Sequence, residues 1–184
     1  MMQDLSLHFL DIAENSIEAK ARRVAIRVEE RASKDRLVLE ISDDGRGMGR
    51  ALLARAADPF VTTKTTRRIG LGLSFLAQAA KASGGRLQIR SAPGRGTKVR
   101  ATFRLSHLDR PPLGDAAESM AVLIAGHPKT EFSYTYMSDS GRYVFRTRDL
   151  QRRPGGISPY GPGALAEIKK DIRSGVARLR RRRP

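Results

Sequence analysis

The chain has 184 residues and no cysteine, and hydrophobic residues make up 40% of it. Such a length suits one domain, or one domain with an appendage, and such a composition builds a core; disulfide scaffolds, thiolate zinc sites and cysteine nucleophiles are excluded. The formal charge of +16 invites a nucleic-acid reading, yet residues 1–110 carry 21 basic and 12 acidic groups and residues 111–184 carry 14 and 7, so the surplus is spread along the chain. One dense cluster, Arg178 with Arg180 to Arg183, reads as a frayed, solvated tail. Arginine outnumbers lysine, and alanine and glycine are frequent, a usage that a GC-rich genome explains as well as a ligand does. No run of eighteen apolar residues and no secretory pattern is present, so a cytoplasmic protein without a membrane span is expected.

In chain order, residues Gln3 to Ala21 are predicted helical. Asp4, His8, Asp11, Asn15, Glu18 and Arg22 recur at spacings of three and four on one face, opposite Leu5, Phe9, Leu10, Ile12, Ala13 and Ile17. Two strands follow by period-two alternation, Arg23–Glu29 and Arg36–Ser42, then a short helix from Arg50 to Ala57. Residues Asp58 to Ile69 show no periodicity. Gly70 to Ser83 reads as a buried helix stopped by Gly84-Gly85, and strands Arg86–Ser91 and Thr97–Leu105 flank the turn Pro93 to Gly96. The pattern predicts a mixed sheet with helices on one face, an α/β (α+β) two-layer sandwich. Beyond a proline linker at 106–114 come a helix (Asp115–Ala125), an aromatic hairpin around Ser140-Gly141, a glycine- and proline-rich loop from Pro154 to Gly163, and a last helix from Ala164 to Arg173 or further. This α-β-β-α extension, 115–184, carries no readable motif.

Four short motifs occur in one order: Asp11-Ile-Ala-Glu-Asn15-Ser-Ile-Glu-Ala19, Asp43-Asp-Gly45-Arg-Gly47-Met48, Asp58-Pro-Phe-Val-Thr62-Thr63-Lys64, and Gly70-Leu71-Gly72-Leu-Ser74, followed by the turn Gly94-Arg-Gly96-Thr97. Each alone is weak; the ordered set over about residues 5–105 resembles the GHKL superfamily of ATP-binding domains, which includes gyrase B, heat-shock chaperone ATPases, histidine kinases and MutL. Phe60 to Phe103 looks most like a histidine-kinase catalytic domain, and the Glu-Asn-Ser-Ile-Glu-Ala run looks closer to MutL. Stand-alone, histidine-kinase-like ATP-binding proteins look similar over the whole chain. The resemblance implies a Bergerat-type mixed sheet over 1–105, with ATP and Mg²⁺ as ligands.

By that resemblance Asn15 gives its amide oxygen to Mg²⁺. Asp43 accepts a hydrogen bond from the adenine amine, beside the permissive backbone of Gly45 and Gly47, the apolar wall of Met48, and Thr97. Gly70, Leu71 and Gly72 form a phosphate cradle at a helix start, with Thr62, Thr63 and Lys64 adding contacts from the loop before it. Arg68 stands where histidine kinases usually carry a further glycine, which suggests a reduced lid. The bland alternatives are a solvated polar helix face for Asn15, a self-capping turn for Asp43, and ordinary surface charge for the basic loop.

Asp11, one helical turn before Asn15, occupies the position at which ATPase members carry a glutamate base. Aspartate is one methylene shorter, and three roles stay open: a weak base, a water-mediated magnesium contact, or a structural cap. A dimerisation segment is not expected before residue 5, and His107, which loosely echoes a kinase acceptor box, lies in a proline linker; His8 reads as a polar-face histidine. The expectation is an Mg-ATP-binding kinase-like module acting on a separate protein. The alternatives are a slow ATPase using Asp11, with conformational switching, and a basic nucleic-acid-binding protein, which is not favoured.

Overall fold

A computed structural model describes residues 4–56, 72–150 and 163–181. Along the chain lie α1 (Leu5–Glu18), β1 (Arg23–Arg31), a tight helical turn over Ala32–Lys34, β2 (Arg36–Asp43), α2 (Arg50–Ala54), α3 (Gly72–Ala82), β3 (Arg86–Ser91) and β4 (Thr97–Arg104). They are followed by α4 (Ala116–Gly126), β5 (Glu131–Ser138), β6 (Gly141–Arg146), α5 (Thr147–Leu150) and α6 (Ala164–Arg181). The aperiodic stretch from Asp58 to Ile69 and residues 154–162 of the glycine- and proline-rich loop lie outside the described residues.

Caps fix where helices begin. Asp4 accepts from the Leu7 amide at 3.0 Å and starts α1, while the Leu5 amide donates to the Pro112 carbonyl at 2.9 Å, seating the proline linker on that end. Asp115 starts α4 in the same way, accepting from the amides of Ala117 and Glu118, and an Arg173 guanidinium 2.6 Å away ties α6 to it.

The strands form one mixed sheet in the order β3-β4-β2-β1-β5-β6. Every neighbouring pair is antiparallel except β1 with β5, which run parallel with Val24 opposite Phe132 and Ile26 opposite Tyr134. The extension therefore adds two strands to the sheet that the first hundred residues build. Alternation sends Val24, Ile26, Leu37, Leu39, Ile41, Val99, Phe132 and Tyr134 to one face, where α1, α3, α4 and α6 cover them with Phe9, Leu76, Leu123, Ile168 and Ile172. Each such large side chain contributes roughly 1.5–3 kcal/mol by leaving water.

Two expectations fail. His8 is only 2% exposed, because Leu5, Ser6, His8 and Phe9 all turn inward at the start of α1. The arginine cluster is not a frayed tail up to Arg181: α6 runs through it, and the Arg180 Nε donates to Glu30 and to the Tyr136 hydroxyl at 3.2 Å each, its guanidinium 5.6 Å above the Tyr136 ring. Gly175 makes this packing possible, since a Cβ there would lie 2.2 Å from the Tyr143 ring.

Candidate functional site

Three segments converge at the end of β2: the last turns of α1, the loop 43–48 and the β3–β4 turn. Asp43 is the knot. Its Oδ1 accepts from the amides of Gly45 at 2.9 Å and Thr97 at 3.2 Å, and its Oδ2 accepts from the Ser16 hydroxyl at 2.8 Å. The carboxylate is thereby fixed in orientation while remaining half-exposed, with acceptor capacity left on Oδ2.

Asp44 behaves differently. Its Oδ1 accepts from the amides of Arg22 and Arg23, and its Oδ2 from the Arg23 guanidinium, which fastens the loop to the start of β1. Partial burial opposes its charge, but these bonds outweigh that and hold its carboxyl below the ordinary aspartate range.

Glycines allow the loops to touch. Gly47 has a φ of +66°, and a Cβ on it would lie 1.9 Å from the Ala92 carbonyl oxygen; Gly96 has a φ of +74°, and a Cβ there would lie 1.9 Å from the Asp43 carbonyl oxygen. Sequence reasoning missed two hydroxyls at this junction. Ser91 accepts from the Met48 amide at 2.8 Å and lies 2.9 Å from both the Gly96 carbonyl and the Thr97 hydroxyl. Ser16 holds Asp43 from within the motif whose evident polar residue is Asn15. Thr97 reaches Asp43 through its backbone amide, its hydroxyl being turned to Ser91.

Asp11 and Asn15 lie half-buried on α1, one turn apart. The Asp11 carboxylate abuts the first residue of α3: a Cβ on Gly72 would lie 1.5 Å from its Oδ2. The polar residues of α1 thus run from the start of α3, at Asp11, past Asn15, to the Ser16–Asp43 bond. Thr62, Thr63, Lys64, Gly70 and Leu71 lie outside the described residues. His107 is not on a helix; its Nδ1 accepts from the Asp109 amide at 3.2 Å, within the linker. Among the described residues no group of three or more histidine, aspartate or glutamate side chains is arranged to hold a metal, and no helix is long and apolar enough to cross a membrane.

A mixed sheet covered on one face by helices, with a clamped aspartate and glycine turns at one end, defines a nucleotide-binding α/β sandwich. The chain belongs to the family of histidine kinase-, DNA gyrase B- and HSP90-like ATPases, whose model matches residues 3–107, and it is an ATP-binding, kinase-like module of the GHKL superfamily. It is 44% identical over 109 residues to the sensor protein kinase FleS of Pseudomonas aeruginosa, a match covering 59% of this chain and 26% of that protein. It is 33% identical over 110 residues to the non-motile and phage-resistance protein of Caulobacter vibrioides, covering 55% of this chain and 13% of the other. The chain thus spans about a quarter or less of these relatives. Its fold matches the Aquifex aeolicus MutL ATPase domain complexed with ADP, with a TM-score of 0.53 at 13% identity over 92% of this chain and 70% of that one. The N-terminal domain of a DNA repair protein gives a TM-score of 0.57 at 16% identity, over 89% and 59%.

Proposed function

We propose that the chain is an Mg-ATP-dependent, histidine-kinase-like catalytic module of the cytoplasm that phosphorylates a separate protein or holds it in a nucleotide-dependent complex. The observation that carries this reading is the contact of Asp11 with Gly72. A general base needs a water within hydrogen-bond reach. The Asp11 carboxylate, though partly exposed, rests on the first residue of α3, which supports an anchoring role over that of a freely placed base and so favours transfer of the terminal phosphate to an acceptor from outside. The 44% identity to a sensor protein kinase supports the same side.

In this reading the remaining acceptor capacity of Asp43 takes the adenine amine, and Met48 flanks the base. Guanine would present a carbonyl oxygen to the same carboxylate and be repelled. Asn15 would offer one amide oxygen to Mg²⁺, an ion that commonly takes few protein ligands and completes its shell with phosphate oxygens and water. When bound, that ion would screen the phosphate charge. Gly70, Leu71 and Gly72 are proposed to present backbone amides to the phosphates at the start of α3, with Thr62, Thr63 and Lys64 beside them.

The test compares phosphate release from Mg-ATP by wild type and Asp11→Asn, with nucleotide binding measured for both. The expected result is intact binding and no Asp11-dependent release, with label from γ-labelled ATP recovered on a protein acceptor. Turnover that collapses in Asp11→Asn would replace this reading with the ATPase one.

A further inference from the structure

Strand alternation sends every second residue of the sheet away from the helices. That second face is strongly basic. Over the six strands it carries eleven arginine and lysine side chains against three glutamates, a surplus of eight, half of the chain's +16. Charge that looks diffuse along the sequence is thus gathered by the fold onto one surface.

The register sets the charges in cross-strand rows. Arg90 and Lys98 are neighbours at one end, Arg27 and Arg100 flank Glu40 in the middle, and Arg104, Arg36 and Arg31 adjoin at the other end. Two of the glutamates lie beneath the cations and pair with more than one each. Glu29 is 8% exposed in its side chain and sits among Arg27, Arg31 and Arg36, while Glu40 is 12% exposed beneath Lys98 and Arg100. At the strand ends Asp44, Asp139, Asp35 and Asp149 pair with Arg23, Arg31, Arg104 and Arg146, and the outward charge is concentrated at Arg86, Arg90 and Arg142 on the edge strands and over Glu29 and Glu40. A cavity of about 310 Å³ at the end of this face is lined by Arg23, Arg146 and Arg148 but equally by Asp43, Asp44 and Glu131, so it adds no net positive charge.

We propose that this helix-free face binds the phosphate backbone of nucleic acid, without reading its bases. Six strands spaced about 4.8 Å apart make a face about 24 Å wide, enough to lie along a duplex. Between the cations stand Thr102, Thr135, Ser133, Ser42 and Gln88, the hydroxyl and amide donors that commonly bond phosphate oxygens. A protein partner or a bilayer would ask for apolar anchors. Among the described residues the exposed large hydrophobic ones, Leu7, Leu108, Val122 and Leu165, all lie off the sheet. No aromatic residue points from this face, so base stacking has no platform and binding rests on charge.

The test is fluorescence anisotropy of a labelled 20-base-pair duplex against the full chain, over a salt series. Wild type is expected to bind at low salt with affinity falling steeply as salt rises. Arg86→Ala/Arg90→Ala/Arg142→Ala, at exposed positions on both edge strands, should weaken binding by about tenfold or more and flatten the log–log salt slope by about 2 to 3. The matching lysine triple, which keeps the charge, should restore the slope. A charge-matched control on α6, Lys170→Ala/Arg178→Ala/Arg181→Ala, should leave both values near wild type. Absence of duplex binding by wild type overturns the proposal, including the case in which anionic vesicles or polyglutamate bind instead. So do equal losses in the face and α6 variants, and a face variant that binds like wild type.

Discussion

The carboxylate of Asp11 lies on the Cα side of Gly72, joining α1 to the start of α3 across a gap that admits no side chain. A methyl group there would meet the far end of a flexible side chain, so Gly72→Ala should push the Asp11 carboxylate aside rather than unfold the protein. Expected is a stability loss of about 1 kcal/mol, within the range for small overpacking changes. Gly72→Ala and Asp11→Ala should then be strongly non-additive in nucleotide affinity and melting temperature, which a double-mutant cycle measures.

Asp43 has three donors aimed at it, and removing it leaves two loop amides without their acceptor. Asp43→Ala should abolish ATP binding and destabilise the fold by about 1–3 kcal/mol, whereas Ser16→Ala, which removes one donor, should destabilise it by only about 1 kcal/mol and retain weakened binding. Titration with a fluorescent ATP analogue and urea unfolding separate the two. The same carboxylate predicts at least about tenfold weaker binding of GTP than of ATP, the consequence of setting a carbonyl oxygen against it.

Gly96 combines a left-handed φ with an approach to the Asp43 backbone that leaves no space for Cβ. Gly96→Ala should therefore be costlier than Gly72→Ala, about 2–3 kcal/mol, because the obstructing atom belongs to the backbone and cannot rotate away. Urea midpoints of the two variants, compared with wild type, check the order.

His8 gives a pH signature. Burial lowers its pKa from the ordinary 6.5, only partly offset by nearby Asp4. A histidine whose folded pKa is depressed binds fewer protons folded than unfolded, so its stability contribution is complete above about pH 6.5 and is lost as pH falls towards the folded value. Unfolding midpoints should decline from about pH 6.5 downwards, and His8→Gln should flatten that decline. Glu29 and Glu40 act in a lower window. Burial alone would raise their pKa values, but the surrounding arginines and Lys98 hold them below 4.5, so their contribution fades only in stronger acid.

Arg180 offers a test of the C-terminal packing. Glu30 is buried beside the Tyr136 hydroxyl, whose pKa is pushed up to about 12, first by burial and then by that carboxylate. Arg180→Ala would leave Glu30 without its cation, and a loss of about 1–3 kcal/mol in thermal stability is expected, with Arg180→Lys recovering part of it.

Much of the fold is legible because alternation at Val24-Ile26-Val28 and Leu37-Leu39-Ile41 leaves one register for each strand. The aromatic hairpin is equally plain in Phe132, Tyr134 and Tyr136. What the sequence does not carry is the partner of β5: its parallel pairing with β1 joins residues more than a hundred positions apart, and no local signal encodes it. His8 misleads because helical spacing alone places it with Asp11 and Asn15, while the inward turn of α1 at the linker buries it. Asp43 and Asp44 are chemically identical neighbours, and only the direction each faces distinguishes clamp from fastener. Arg180 shows the converse, a charge in a run of charges that reads as solvent until Glu30 appears beneath it.

The parallel seam between β1 and β5 bears on how the molecule can be divided. Cutting after residue 110 would strip the sheet of β5 and β6. It would bare one side of β1, a row of amides and carbonyls with no partner, and uncover Phe9 where the Tyr134 ring now stands 6.5 Å away. An edge of that kind recruits strands from other chains. The segment least readable in the sequence is therefore the guard that keeps the most readable part from assembling with copies of itself.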